Sequence, residues 1–273
     1  MCELLAISSR HATRLNFSLQ ALAERSSPGH SARDGWGVAF YQGRDVALYR
    51  EPLPASNNPL VQLLETQGPP TTLAISHIRH ATQGAITLAN TQPFLRELAG
   101  RSHVFAHNGT LSDIAQSPHF ALGPYHPVGE TDSEHAFCAL LARLQALWQP
   151  AAPPPSVQTQ LAVVANFAAE LRKLGPANFL YADGDALFAH GHRRIQAGHR
   201  VEPPGLYLLA RTCHAENQPL QAHGVCVDGG FQQVVLLASV PLSEEAWQPL
   251  AEGETVAVAA GEVLARHTPA IRP

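Results

Sequence analysis

Residues 131–150 read TDSEHAFCALLARLQALWQP. Thr131 with Glu134 three residues on has the form of a capping box, in which each side chain satisfies the other residue's backbone N–H at a helix start. Phe137, Leu140, Leu141, Leu144 and Leu147 then recur at helical spacing, so the predicted helix buries one apolar stripe. It stops at QPAAPPP, 149–155, because proline lacks the donor a helix interior needs. A partner helix is predicted from Val157 to Leu174, closed by Gly175 and Pro176. These two adjacent helices decide the class, because the sequence on either side of them reads mainly as strands.

Toward the N-terminus the apolar runs are short and bounded by turn residues: LLAIS at 4–8, WGVAFY at 36–41, VALYR at 46–50, TLAISHI at 72–78 and HVFAH at 103–107. QGRD at 42–45 reads as a hairpin turn. Two short helices are expected among them, at Ser18–Arg25 and at Pro59–Glu65, the second with Leu60, Leu63 and Leu64 on one face. Toward the C-terminus come NFLYA at 178–182, a DG turn at 183–184, ALFAH at 186–190, GLYLLAR at 205–211, VVLLASV at 234–240 and VAVAAGEVLAR at 256–266. Strands, two helices and strands again, with no internal repeat, point to sheets packed with helices rather than βαβ alternation. The proline run reads as a helix connection, so residues 1–273 are expected to form a single domain.

With 45% hydrophobic and 15% charged residues, the chain is expected to be soluble and to build a sizeable core. A net charge of -4, with no basic run longer than Arg193-Arg194, argues against nucleic acid and anionic membranes as partners. No signal peptide and no transmembrane helix are expected, since Glu3 interrupts the first apolar run and no window of about eighteen apolar residues exists. Cys2, Cys138, Cys213 and Cys226 lack CxxC spacing, which speaks against a zinc site or a disulfide scaffold and fits a reducing cytoplasm. Fifteen histidines are scattered without ligand spacing, so neither a metal nor another cofactor is expected.

Four stretches carry chemistry. Cys2 follows the initiator methionine; it is either a small apolar residue opening a buried strand or a nucleophile whose base is its own α-amine, freed by removal of Met1. An α-amine titrating near 7.7–8.0 can take a proton from a thiol of pKa about 8.5. Arg79, in SHIRHATQG at 76–84, reads by itself as a surface ion pair at a strand end, and its planar fork also suits a carboxylate. Asn108 and Gly109, in FAHNGTL at 105–111, read by themselves as a two-residue hairpin turn; as donors they could also converge on an oxyanion. Asp132, one residue into the helix of GETDSE, is favourable at that helix end and could take an ammonium group. RDGWG at 33–37 places a glycine-flanked tryptophan in a turn, either lining a pocket or in an ordinary loop.

In this order, Cys2, DGWG at 34–37, RHAT at 79–82, HNG at 107–109 and TDSE at 131–134 resemble the class II glutamine amidotransferases, whose glutaminase domain belongs to the N-terminal nucleophile hydrolases. The motifs span the first half of the chain. LLASVPLSEEAW at 236–247 and the closing hairpin look like the compact stand-alone branch of that family. The resemblance implies an α+β fold, a four-layer αββα sandwich of two antiparallel sheets. It also implies that Cys2 attacks the side-chain amide of glutamine, that Asn108 and Gly109 form the oxyanion hole, that Arg79 grips the α-carboxylate and that Asp132 holds the α-ammonium. His80 and Thr82 would complete the substrate pocket. His80 stands where the amino-sugar synthases of the family carry tryptophan, and 273 residues leave no room for a synthase domain, so the acceptor of any ammonia would be a separate partner. The leading expectation is a glutaminase or γ-glutamyl amide hydrolase. The other is a regulatory binding protein that keeps the clamp without turnover.

Overall fold

The computed structural model describes residues 2–13, 15–17, 34–81, 84–150, 152–196, 199–213, 220–222, 225–227 and 232–269. Their strands are β1 (Glu3–Thr13), β2 (Leu15–Phe17), β3 (Trp36–Gln42), β4 (Asp45–Glu51), β5 (Thr71–Ile78), β6 (Phe94–Leu98), β7 (Arg101–Gly109), β8 (Ala177–Ala182) and β9 (Leu187–His190). After these come β10 (Arg194–Ile195), β11 (Val201–Glu202), β12 (Tyr207–Cys213), β13 (Leu220–Ala222), β14 (Val225–Val227), β15 (Gln232–Ala238), β16 (Gln248–Pro249), β17 (Thr255–Ala259) and β18 (Glu262–His267). The helices are α1 (Pro59–Gln67), α2 (Asp132–Leu144) and α3 (Val157–Leu171). The helix expected at Ser18–Arg25 lies outside the described residues.

Thr131 caps α2 as expected, its Oγ1 accepting the Glu134 N–H at 3.2 Å. The reciprocal half of the box is not made. The Glu134 carboxylate accepts the Gly129 N–H at 2.7 Å and pairs with the half-buried Arg96, which draws it away from the cap. Phe137, Leu140, Leu141 and Leu144 form the buried stripe, each contributing about 1.5–3 kcal/mol. Leu147 packs against the same core from just beyond the helix end. The partner helix α3 ends at Leu171 rather than Leu174.

Two antiparallel sheets lie between the helices. One has the order β16-β12-β15-β1-β5-β3-β4 and the other β18-β17-β9-β8-β7-β6. Leu5, Ile7, Trp36 and Phe40 on the outer face of the first sheet pack against Val61 and Leu64 of α1. Leu4, Ala6, Ile75, Val104, Ala106 and Leu180 fill the space between the sheets. Phe105, Phe179 and Phe188 on the far face of the second sheet meet α2 and α3. The architecture is therefore the expected αββα sandwich. Strand β1 is buried on both faces, which is why LLAIS is a continuous apolar run rather than an alternating one.

The QGRD hairpin forms, with Gln42 opposite Asp45 and Gly43 at φ 65°. Two turn readings are corrected. Asn108 and Gly109 are the last residues of β7, opposite Asn178 and Ala177 of β8, and neither has the positive φ that a two-residue turn of that type requires. Glycine is needed there for another reason: a Cβ on Gly109 would sit 1.7 Å from the Pro176 carbonyl oxygen. Trp36 likewise opens β3 fully buried instead of occupying a turn.

Candidate active site

Cys2 stands at the N-terminal end of β1, and alternation along the strand puts it on the side of Leu4 and Ala6, facing the second sheet. Its Sγ accepts the His80 N–H at 3.3 Å and lies 3.4 Å from the His80 carbonyl oxygen, its acceptor. Burial pushes the thiol above its ordinary pKa, against the opposing effect of the His80 backbone bond. The side chain is half-buried overall, so the sulfur is held close to the protein rather than sealed inside it.

On the opposite sheet, Asn108 shares a face with Val104 and Ala106 and so points at Cys2. Asn108 Nδ2 donates to the Cys2 carbonyl oxygen at 2.7 Å. A primary amide has two N–H donors, so this bond leaves the second for another acceptor. Behind Asn108, His107 faces α2. Its Nδ1 lies 2.9 Å from Ser133 Oγ and its N–H donates to Gln92 Oε1 at 2.6 Å. Burial lowers the His107 pKa, the Asp132 charge and the Pro176 backbone bond working the other way.

Arg79 follows β5 and is buried, not a surface ion pair. Its guanidinium donates to the carbonyls of Ala85 at 3.0 Å and Gly84 at 3.2 Å. Glu130 fixes that segment, its Oε1 accepting the Ala85 N–H at 2.9 Å, while Asn90 Nδ2 donates to the Ala85 carbonyl at 3.0 Å. Asp34, the first residue of DGWG, accepts the Ala81 N–H at 2.8 Å, and its carboxylate lies 3.8 Å from His80 Nδ1. Thr82 lies outside the described residues.

Asp132 Oδ2 accepts the Leu111 N–H at 2.7 Å and Oδ1 the Ser133 N–H at 2.7 Å, which ties the start of α2 to the chain leaving β7. Leu111, Asp113, Pro127, Glu130, Asp132 and His135 line a cleft of about 560 Å³. Asp132 thus reaches an open space while its orientation is set by backbone donors. Among the described residues no group of three or more His, Cys, Asp or Glu side chains could hold a metal, and no helix is long and apolar enough to cross a membrane.

Residues 1–272 match the family described as glutamine amidotransferases class-II. The chain belongs to that family. YafJ of Escherichia coli (strain K12), whose name marks it as a candidate glutamine amidotransferase, is 33% identical over 255 residues, 93% of this chain and 96% of the relative. A crystal structure of a predicted glutamine amidotransferase from Pseudomonas aeruginosa PA01 superposes with a TM-score of 0.71 at 35% identity, covering 96% of this chain and 99% of that one. The glutamine phosphoribosylpyrophosphate amidotransferase of B. subtilis, at 15% identity and a TM-score of 0.58, shares the fold over 97% of this chain and 48% of its own. The sandwich is the N-terminal nucleophile hydrolase fold of such amidotransferase domains.

In this family member, Cys2 and Asn108 come together, Asp132 lines a cleft that neither Cys2 nor Asn108 lines, and Arg79 is engaged with backbone carbonyls. Sequence reading passed over Asn178, Arg194 and Gln92, which sit in ordinary strand and loop sequence with no motif around them. Glu130 lies in the same GETDSE stretch, where the sequence marks only the cap and Asp132.

Proposed function

We propose that the protein hydrolyses the side-chain amide of glutamine or a γ-glutamyl amide through a Cys2 thioester, releasing ammonia or an amine and then glutamate. The observation that supports this reading is the 2.7 Å bond from Asn108 Nδ2 to the backbone carbonyl oxygen of Cys2, which ties the proposed oxyanion donor to the residue that bears the thiol. Loss of Met1 would make the Cys2 α-amine the base. That amine takes the thiol proton, directly or through a water, while Sγ attacks the amide carbon. The tetrahedral oxyanion accepts from the second Asn108 N–H and from the Gly109 N–H, donors aimed where charge develops. As it collapses, the C–N bond breaks and the ammonium proton passes to the leaving nitrogen. Water, deprotonated by the same amine, then cleaves the thioester and restores the thiol.

In this proposal Asp132 holds the substrate α-ammonium, Arg79 its α-carboxylate, and His80 and Thr82 line the pocket. Support for Asp132 is its carboxylate on the cleft, and support for Arg79 is a fork already presented to two oxygen acceptors that a carboxylate would resemble. Residues 1–273 act as one domain in a reducing, cytoplasmic setting, and ammonia released from glutamine would pass to a separate synthase. Glutamate release from glutamine and from γ-glutamyl peptides, compared between wild type and Cys2→Ser, tests the reading. Release that Cys2→Ser abolishes supports it. Release that survives the substitution rejects the thioester, and no release from any substrate favours the regulatory binding protein.

A further inference from the structure

Cys2 and Asn108 sit on different sheets, yet they are joined, besides their direct bond, by a chain of buried and part-buried contacts through residues outside the sequence motifs. Glu3, the residue after Cys2, pairs through Oε1 with Arg194 Nη2 at 2.8 Å. Both side chains are almost fully buried, at 1% and 4% exposure. Arg194 also donates to the Ser239 carbonyl oxygen, and Ser239 in turn accepts the Leu4 N–H on its Oγ at 3.0 Å, so the start of β1 is held at two points. The residue before Arg194, Arg193, accepts at its carbonyl from Asn178 Nδ2 at 2.7 Å. Asn178 Nδ2 donates as well to the Asn108 carbonyl oxygen at 3.0 Å, and Asn108 Nδ2 returns to the Cys2 carbonyl oxygen.

Asn178 is the joint of this ring. Its side chain is completely buried, and its Oδ1 accepts the His192 N–H at 2.7 Å, so both ends of the amide are committed to backbone groups. The notch that receives it is made by Gly205, where a Cβ would fall 1.6 Å from Asn178 Oδ1. The Asn178 amide, with both donors and its acceptor taken by backbone groups, favours one arrangement of the strands it joins, since a shift leaves a buried group unpaired. The Glu3–Arg194 pair adds to this, because a desolvated ion pair keeps its value only at close and well-directed geometry.

We propose that Asn178, with Arg194, is a positioning residue: the ring Cys2–Glu3–Arg194–Arg193–Asn178–Asn108 sets the separation between the attacking sulfur and the oxyanion donor. Neither side chain touches substrate. The proposal rests on the glutaminase reading for its rate effect and on the hydrogen bonds alone for its geometry. A misplacement of about 1 Å at a reacting centre costs about 10²-fold in rate, so a loosened ring acts on kcat before it acts on binding.

The test compares Asn178→Ser, which removes both amide donations, with Gly205→Ala, which keeps the asparagine but pushes its side chain out of its notch. Leu144→Ala, in the core between the second sheet and α2, serves as a control that is destabilised at a distance from the site. Thermal melts establish that each variant is folded. Both ring variants are expected to lose about 10-fold or more in kcat for glutamate release with KM within about 3-fold of wild type, while the control keeps its kcat. Equal kcat in wild type and both folded ring variants overturns the proposal, as does an equal loss in the control. If the wild type itself releases no glutamate, the glutaminase reading fails, and the ring is then judged by iodoacetamide alkylation of Cys2. A rate altered about 3-fold or more in both ring variants supports it, and an unchanged rate overturns it.

Discussion

Asn108 Nδ2 and the Cys2 carbonyl oxygen lie 2.7 Å apart, a bond that joins the last turn-free residues of β7 to the first residue ahead of β1 across the sandwich. It gives Asn108 a dual duty in the proposed reaction, anchoring the nucleophile's backbone with one N–H and stabilising the oxyanion with the other. Asn108→Ala is therefore expected to lower kcat by about 10²–10³-fold with little change in KM, as removal of one oxyanion donor does elsewhere. Steady-state glutamate release checks this. A loss confined to KM would place Asn108 in ground-state binding instead.

Asp132 is one of three acids on the cleft, with Asp113 and Glu130, and both its oxygens already accept backbone N–H groups. Asp132→Asn keeps one acceptor and removes the charge, so the expected result is a KM raised about 10-fold or more with the fold retained. The same substitution should leave weaker discrimination between glutamine and an analogue lacking the α-amine. An unchanged KM would show that the ammonium is bound elsewhere.

In the chain that retains Met1, burial raises the Cys2 thiol, so at neutral pH it is held mainly as thiol. Thiolate, the reactive form, increases as pH climbs through the raised pKa, which lies above the ordinary value of about 8.5. Alkylation of Cys2 by iodoacetamide in the absence of substrate is expected to be slower than that of free cysteine at pH 7.5 and to rise without a plateau through pH 8.5. A plateau below pH 8 would contradict the burial effect.

Burial also holds several histidines neutral: His77 is pushed down to about 3, His103 and His192 to about 4, and His190 well below its usual value. Above the unfolded pKa of about 6.5 these groups are neutral in both states and do not affect stability. Below it the unfolded chain takes up protons that the folded one cannot, so stability falls as pH drops from 6.5 toward the folded values. At pH 5.5 this is on the order of 1 kcal/mol for each such histidine. Asp183, raised by burial, works in the opposite direction as pH falls through its folded pKa. Urea midpoints measured at pH 7.5 and 5.5 are expected to drop clearly at the lower pH, and equal midpoints would refute the neutral assignment.

Much of this fold was legible because apolar spacing is a local signal. LLAIS, TLAISHI and the stripe from Phe137 to Leu144 each declare their element within a few residues. The HNG stretch did not, because Asn-Gly carries a turn preference that pairing with Asn178 and Ala177 overrides. Glycine at 109 answers a close approach by Pro176, which is distant in sequence, so no local reading could have found it. The capping box was half right for a similar reason: Arg96, far from Glu134 in sequence, claims the carboxylate. In the site, Cys2, Asn108 and Asp132 were legible as residue types suited to a reaction. Asn178, Arg194 and Gln92 were not, since a buried polar residue becomes visible only through the partners that three-dimensional packing brings to it.

The most direct test of a Cys2 nucleophile is covalent trapping with a glutamine-like electrophile, followed by mass mapping of the modified peptide. A single adduct on Cys2, on a peptide that begins at Cys2 without Met1 and absent from Cys2→Ser, is the expected result. Labelling at Cys138, Cys213 or Cys226 with Cys2 unmodified would contradict it.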